Sequence, residues 1–535
     1  MKLFLTIFVT TCIFLLLPKT SLSQHEIWLN VKDFGAIADG STLNTVNLQK
    51  AIDKASKEGR TLLIPSGVYL TGSLHLRSNL SIHLEPNAII LGSQKVENYD
   101  PYEELGFPND ADKETSFFHH SLMWGEDVEN IVITGYGVID SNFTQRGGPK
   151  TLAFKRCKNI KIEGITIRNS PNYAISLLGC SQVIIDKVQI LNAHADGIDP
   201  DCCQFVFISN CRIESFDDAI VPKSSFSLGY RLPCTDIVVT NCYLSTKCNG
   251  FKLGTESGSD FKRITVSNCV IKGFGDGHRP VISGVALESV DGGNIEGVTI
   301  SNITMEKVRT PLFIRLGNRG RDNAPGPGSI KGITISNIIA TKACNPNIIA
   351  GIPGHYVEDV LIENIHCSFI GAPPLRSVTE PVPEEESRYP EALMFGALPS
   401  YAFFIRHAKN IMLNNISFSG EENFWRIKNL KFRETWWNED GIPINNSEPS
   451  TPGLAFYLED VDGFKISQWR EKANTTESPL IYLKCVKNAR IDTPLHTRET
   501  VHWCTIAGKD NTNIEFTGNI LTKVGKHIKI CDEKF

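Results

Sequence analysis

One phrase recurs along the chain and limits what it can fold into: FVFISNCRI, IVVTNCYL, ITVSNCVI, VTISNITM, ITISNIIA, VLIENIHC and IMLNNISF. Each is a short alternating apolar segment, a small or polar residue, an asparagine, and a second alternating segment. The asparagines are Asn210, Asn241, Asn268, Asn302, Asn337, Asn364 and Asn415. Upstream, IKIEGITI and VIIDKVQI fit the same frame, with Gly164 and Lys187 in the asparagine position. Successive positions lie 23, 23, 31, 27, 34, 35, 27 and 51 residues apart. A short minimum interval with strands of about five residues describes a solenoid of β coils. A single coil cannot bury its apolar face, whereas stacked coils share one interior. An asparagine repeated at a bend can hydrogen-bond to its neighbours above and below, as a ladder of amides. Longer intervals are coils with inserted loops, and such loops shape a groove. The expected fold is all-β, a parallel β-helix. Independent asparagine turns in an ordinary β protein would not repeat the phrase so often.

The ends have a different grammar. Leu48, Ala51, Ile52 and Ala55 recur at helical spacing, so Thr45–Lys57 is expected to be an amphipathic helix stopped by Gly59. A helix there would cap the open end of the solenoid, where an unpaired coil invites aggregation. Residues 1–23 read as a secretory signal: Lys2, the apolar LFLTIFVTTCIFLLL, then the small residues Ser21–Ser23. The competing reading, a membrane anchor, is short for a span. The chain therefore divides into a signal (1–23), a cap with the first coils (24–96), a catalytic β-helix (97–420), and further coils and loops of the same solenoid (421–535). In the last part, Trp425, Trp436 and Trp437 form a cluster that is either loop core or a sugar-stacking surface. The protein is expected to be secreted or periplasmic and monomeric, with no stable membrane association once the signal is removed.

Charge and cysteines narrow the partners. A net charge of −5 from 54 basic and 59 acidic residues, without a basic block, excludes nucleic acid as an expected partner. Of fifteen cysteines, Cys211, Cys242 and Cys269 share one slot beside the repeated asparagine, which points to stacking in the core. Some disulfides remain possible in an exported protein, but no pair can be assigned. No C-x-x-C pair suggests a zinc site.

The ladder also supplies a register for the acidic residues. Eight residues after Lys187, Asn210 and Asn241 stand Ala195, Asp218 and Asn249. Asp196 is thus expected one residue out of line with Asp218 and one rung away, a spacing of about 4.8 Å. Asp196, Asp217 and Asp218 should gather on one face beside Asn249. Both Asp217 and Asp218 can face outward only if the strand ends or bulges there. Three close carboxylates cannot all ionise cheaply, which separates an acid from a base as glycoside hydrolysis requires. A plain acidic patch, or a calcium site including Asp199 and Asp201, are the other readings of the spacing.

The stretches NSPNYAISLLGC, ADGIDPDCC and DDAIVPKSS resemble successive signatures of family 28 glycoside hydrolases, the polygalacturonase family. VKDFGAIADGSTLNT and PSGVYLTGSLHLRSNLSIHLEPNAIILGS resemble its bacterial members, as does YPEALMFGALPSYAFFIRHAKNI. The likeness runs over roughly Asn30–Gly420. It implies a right-handed parallel β-helix and inverting, single-displacement hydrolysis without metal or other cofactor. Carried over by position, Asp217 would be the general acid, with Asp196 and Asp218 holding the attacking water.

Departures from the family pattern fall around these aspartates. Asn-Thr-Asp is His194-Ala195-Asp196 here, and Gly-His-Gly is Cys248-Asn249-Gly250. The family's Arg-Ile-Lys, which grips substrate carboxylates, aligns with Ala286-Leu287-Glu288. Fourteen residues separate Glu288 from Asn302, as fourteen separate Asp196 from Asn210. Losing the Arg and Lys removes charge-assisted contacts to a uronate, and Glu288 would repel one. The expected function is an exported glycosidase acting on a pectin-like or other acidic polysaccharide or oligosaccharide, with altered subsite specificity. Either a neutral sugar stands beside the cut bond, or a uronate there is held by Lys223, Lys252 or Arg315. His194, Asn249 and Glu288 complete the expected substrate contacts, and His278 lies in an inserted loop. Insertions at Ser224–Thr235, Gly273–Ser283 and Pro373–Pro390 favour a partly blocked groove and exo action. The alternatives are a calcium-dependent lyase on the same solenoid and a non-catalytic carbohydrate-binding β-helix.

Overall fold

A computed structural model of the chain describes residues 28–274, 281–324, 326–371, 376–420, 425–427, 447–449, 453–472, 478–492, 494, 500–518 and 524–531. Residues 1–23, expected as a signal, His278 and the pair Trp436–Trp437 lie outside these residues, as does the side chain of Trp425. Among the described residues no helix is long and apolar enough to cross a membrane.

The repeated phrase is two strands meeting at a corner. Gln204–Ser209 and Arg212–Ser215 flank Asn210, and in later coils both halves merge into single long strands such as Phe261–Gly273 and Asn294–Glu306. At the corner the asparagines are left-handed, with φ between 51° and 57° from Asn210 to Asn415. Asparagine tolerates this conformation better than other residues with a side chain. Their amides then link the coils: Asn302 to Asn268 at 3.0 Å, Asn337 to Asn302 at 2.9 Å, Asn364 to Asn337 at 3.0 Å and Asn415 to Asn364 at 2.9 Å. The expected amide ladder is present.

Among the described residues each coil pairs in parallel with the next, and the pairing runs on from Ser400–Gly420 to Leu454–Ser467 and Ile481–Asp492. The chain forms a right-handed parallel β-helix. Inward residues stack in files such as Ile300, Ile335, Ile362 and Leu413, all buried. Burying each such side chain contributes about 1.5–3 kcal/mol. Cys211, Cys242 and Cys269 form another buried file, and among the described residues all cysteines are free thiols. The helix spans Thr45–Glu58 and ends at Gly59 with φ 62°, its Leu48, Ala51, Ile52 and Ala55 buried against the first coils.

One face of the solenoid carries the candidate site. Its strands are Lys150–Lys155, Ile175–Leu178 and Ile198–Asp201, then Asn249–Leu253, Val281–Ser289 and Val308–Leu316, the two groups joined by Ile220, which bridges Ile198 and Phe251. Inserts at 93–120, 141–149 and 376–399 rise beside this sheet.

Candidate active site

The aspartates meet because one coil slips its register. Ile190 pairs with Ile213, but Ala193 pairs with Ser215, so one residue is absorbed between them. Ile198 then faces Ile220, which puts Asp196 directly in line with Asp218 rather than one residue off. Ile220 in turn faces Phe251, placing Asn249 on the next rung of the same file. Sequence counting assumed a uniform coil and missed the bulge. The same assumption fails at Glu288: Asn249 pairs with Ser283, while Glu288 pairs with Arg315 farther along the strand.

Arg212–Ser215 ends before Asp217, so strand alternation no longer constrains Asp217 and Asp218. The Asp218 amide donates to Asp196 Oδ1 at 3.2 Å and to Asp217 Oδ1 at 3.0 Å. Two carboxylates from adjacent coils, Asp196 and Asp217, thereby share one backbone N–H, that of the third aspartate. Their exposure differs: the Asp217 side chain is 25% exposed, against 4% for Asp196 and 5% for Asp218.

Buried cations separate the cluster into two halves. Lys223 Nζ lies 3.1 Å from Asp196 Oδ2, 2.7 Å from Asp199 Oδ2 and 2.8 Å from the Tyr173 hydroxyl. Lys252 Nζ lies 3.3 Å from Asp218 Oδ2, 3.6 Å from Glu288 Oε2 and 3.4 Å from the Tyr389 hydroxyl. Asn249 holds Asp218 Oδ1 through its amide nitrogen at 2.6 Å and its backbone N–H at 3.1 Å. Asp217 Oδ2 accepts from Arg146 Nη1 at 2.5 Å, and Glu114 grips the other edge of that guanidinium.

These surroundings push the carboxyls apart. Burial drives Asp196 well above the ordinary carboxylate range, against Lys223 and with Asp217 and Asp218 adding to the rise. Burial also favours a proton on Asp217, but Arg146, by charge and by hydrogen bond, outweighs it and holds that carboxyl below its usual value. Glu288 is pushed up to about 8, mainly by burial. With Arg146 in place Asp217 is held ionised, while burial favours a proton on Asp196.

The remaining expected contacts fall at different distances from the cluster. His194 stacks on Phe216, ring centroids 5.0 Å apart, and its buried Nε2 has no hydrogen-bond partner. Lys247 stands over the same Phe216 ring at 3.3 Å. Arg315, expected as a uronate contact, is fully buried and donates to the carbonyls of Gly351, Glu384 and Glu385 at 2.8, 2.8 and 3.1 Å. It ties down the 376–399 insert instead of reaching the aspartates. Arg146, Glu114, Tyr173 and Tyr389 were not picked out from sequence. Glu114, Arg146 and Tyr389 lie in the inserts at 93–120, 141–149 and 376–399, which have no repeat to give a register, and Tyr173 lies in the NSPNYAISLLGC stretch just before the strand Ile175–Leu178.

Asp217, Asp218 and Cys248 offer ligand atoms within 4.8 Å of one another. The two carboxylates already carry Arg146 and Lys252 as counter-charges, and three protein ligands fall short of the six or more oxygens calcium takes. Beyond Lys223 along the chain, a cleft of about 330 Å³ is lined by Asp110, Ser225, Glu256, Asp291, Arg319 and Arg321.

The model of Glycosyl hydrolases family 28 matches residues 56–381. A probable polygalacturonase of Vitis vinifera is 27% identical over 365 residues, covering 62% of this chain and 72% of the relative. An exo-poly-alpha-D-galacturonosidase of Dickeya chrysanthemi is 25% identical over 349 residues, and the match covers 54% of this chain and 56% of that relative. The solved hyperthermoactive exopolygalacturonase of Thermotoga maritima superposes with a TM-score of 0.57 at 23% identity, over 72% of this chain and 91% of its own.

Proposed function

The chain belongs to glycosyl hydrolases family 28, a family of O-glycosyl hydrolases, and on that premise we propose that it hydrolyses a pectin-like polysaccharide or oligosaccharide from the chain end. The observation that carries this reading is the shared Asp218 amide, which holds Asp196 and Asp217 at 3.2 and 3.0 Å. In the proposed reaction the protonated form of Asp217, the aspartate that solvent reaches, gives its proton to the glycosidic oxygen as the C1–O bond breaks. Water attacks C1 from the opposite face and passes a proton to the Asp196–Asp218 pair. Lys223 and Lys252 keep that pair oriented, and Asn249 fixes Asp218. The sugar beside the cut bond meets a site in which Ala286 and Glu288 stand where the family carries Arg and Lys.

Exo action is supported by the crowding of inserts. The 224–233 loop reaches Asn323 through Arg231, and Arg321 donates to the Asp110 carbonyl at 3.0 Å, so three inserts join over one end of the groove. The same reading takes the protein as a secreted or periplasmic monomer with residues 97–420 as the catalytic unit.

The test is digestion of defined oligogalacturonides and neutral pectic oligosaccharides, with products resolved by mass and by proton NMR of the anomeric centre. Release of single terminal units with inverted anomers supports the proposal. The Oδ1 atoms sharing the Asp218 amide can be no more than 6.2 Å apart, the two bonds laid end to end. That is below the separation of about 6.5–9.5 Å common in inverting pairs, which makes the anomer the decisive signal. Retained anomers would overturn the water-first mechanism. Unsaturated products absorbing in the ultraviolet would indicate a lyase, and binding without any release would indicate a carbohydrate-binding relic.

A further inference from the structure

The guanidinium of Arg146 has two hydrogen-bonding edges with different roles. Glu114 takes the Nε–Nη2 edge through both carboxylate oxygens, Nε lying 3.0 and 3.1 Å from them. The Nη1 side turns to the aspartate cluster and meets Asp217. Glu114 is itself held in place. It lies in the short helix Lys113–Ser116, capped by Asp112, whose side chain accepts from Thr115 N at 2.7 Å. Thr115 Oγ1 contacts the Tyr173 hydroxyl at 3.2 Å, and that hydroxyl touches Lys223. A chain of contacts therefore sets one edge of Arg146 from the floor of the site and leaves the other facing it.

Three cations pair with the three aspartates among the described residues, and they differ in what a ligand can reach. The side chains of Lys223 and Lys252 are 5% and 3% exposed, and each is shared between two carboxylates. Arg146 is 46% exposed. A planar fork with one edge pre-set by Glu114 and the other held by one carboxylate at the exposed rim suits exchange of that partner for a second carboxylate.

We propose that Arg146 grips the carboxylate of a uronate next to the scissile bond, leaving Asp217 to do so, and thereby replaces the cations absent at Ala286 and Glu288. This rests on the reading above that Asp217 is the proton donor. Without substrate, Arg146 neutralises Asp217 and keeps it ionised. A uronate carboxylate that takes the Nη1 edge removes that partner, and burial then favours the proton Asp217 must deliver. The grip is thus coupled to arming the acid: a neutral sugar would leave Arg146 on Asp217. Glu114 acts as a positioning residue, since it reaches the aspartates through its hydrogen bonds to Arg146.

The experiment compares trigalacturonate with its carboxyl-reduced counterpart on wild type, Arg146→Ala, Arg146→Lys and Glu114→Gln. The ratio of kcat/KM for charged over neutral substrate is expected to fall about 10- to 150-fold in Arg146→Ala, the loss of a hydrogen-bonded charge pair. Arg146→Lys, which keeps charge but not the fork, should recover only part of the ratio, and Glu114→Gln should fall between. In wild type the acid should titrate higher in the kcat profile, which reports the complex, than in kcat/KM, which reports free enzyme. In Arg146→Ala that gap should close. An unchanged ratio with an unchanged gap overturns the proposal and marks the contact as a plain ion pair. Calorimetry with galacturonate against galactose reads the grip without turnover: equal preference in wild type and Arg146→Ala also overturns it. Loss of turnover in Asp217→Asn separates the two readings, since retained turnover there sinks the acid assignment and leaves the binding arm to judge Arg146.

Discussion

Arg146 and Asp217, 71 residues apart in the chain, meet with Nη1 2.5 Å from Oδ2. One comes from a glycine-rich insert and the other from the bend after a core strand. Asp217 is the most accessible aspartate of the cluster, and it pairs with the most exposed of the cations there. The sites's other cations are locked into pairs beneath it, so the chemistry of this face divides into a fixed floor and an adjustable rim.

Asp217→Asn should lower turnover by about 10²- to 10⁴-fold, the range for losing a positioned general acid. The variant keeps shape and hydrogen-bonding capacity, so its thermal midpoint and circular dichroism should match wild type. Turnover within a few-fold of wild type would refute the assignment.

Lys223→Met removes the cation shared by buried Asp196 and Asp199. Burial already favours protons on both carboxyls, so losing the lysine costs at most about 3–5 kcal/mol, and most where pH is high enough to ionise them. Denaturant titration at alkaline pH should register that loss as an earlier midpoint. A midpoint equal to wild type at alkaline pH would mean Lys223 does not stabilise the two carboxylates.

Asn337 has φ 56° and bridges Asn302 and Asn364. Asn337→Ala should cost about 1–2 kcal/mol, since alanine pays for the left-handed backbone and loses both amide contacts. Asn337→Gly pays only for the contacts and should fall between. If alanine proves as stable as asparagine by chemical denaturation, the ladder contributes nothing at that rung.

His407 is clamped between Asp460, 2.7 Å from Nδ1, and Glu384, 3.1 Å from Nε2. Burial disfavours the imidazolium, but the two carboxylates outweigh it and the histidine titrates above its usual value. A raised folded value contributes stability that is complete below about pH 6.5 and lost as pH rises through the folded value. Hydrogen exchange of the 376–399 insert should therefore quicken as pH climbs past neutrality, beyond the intrinsic rate increase. His407→Gln should abolish that excess, and an identical excess in the variant would exclude the clamp.

Chelation gives the last check. With Arg146 and Lys252 already balancing Asp217 and Asp218, activity should be unchanged after dialysis against EDTA. Loss on chelation that calcium restores would put a metal among the carboxylates.

The sequence by itself determined the solenoid, because its periodic constraint is local. A coil must bury one face, turn at a left-handed asparagine and match the coil below, and each need leaves a mark every few tens of residues. The amide ladder, the cysteine file and the nearness of Asp196 to Asp217 and Asp218 followed from that period, and the N-terminal helix from its own helical spacing. Only the tertiary structure decided the register at the site, where the bulge between Ile190 and Ala193 aligns Asp196 with Asp218. It also decided that Arg315 serves the 376–399 insert and that Arg146 reaches Asp217. Inserts carry no repeat, so their side chains find partners by packing across coils, and distance along the chain says nothing about which ones.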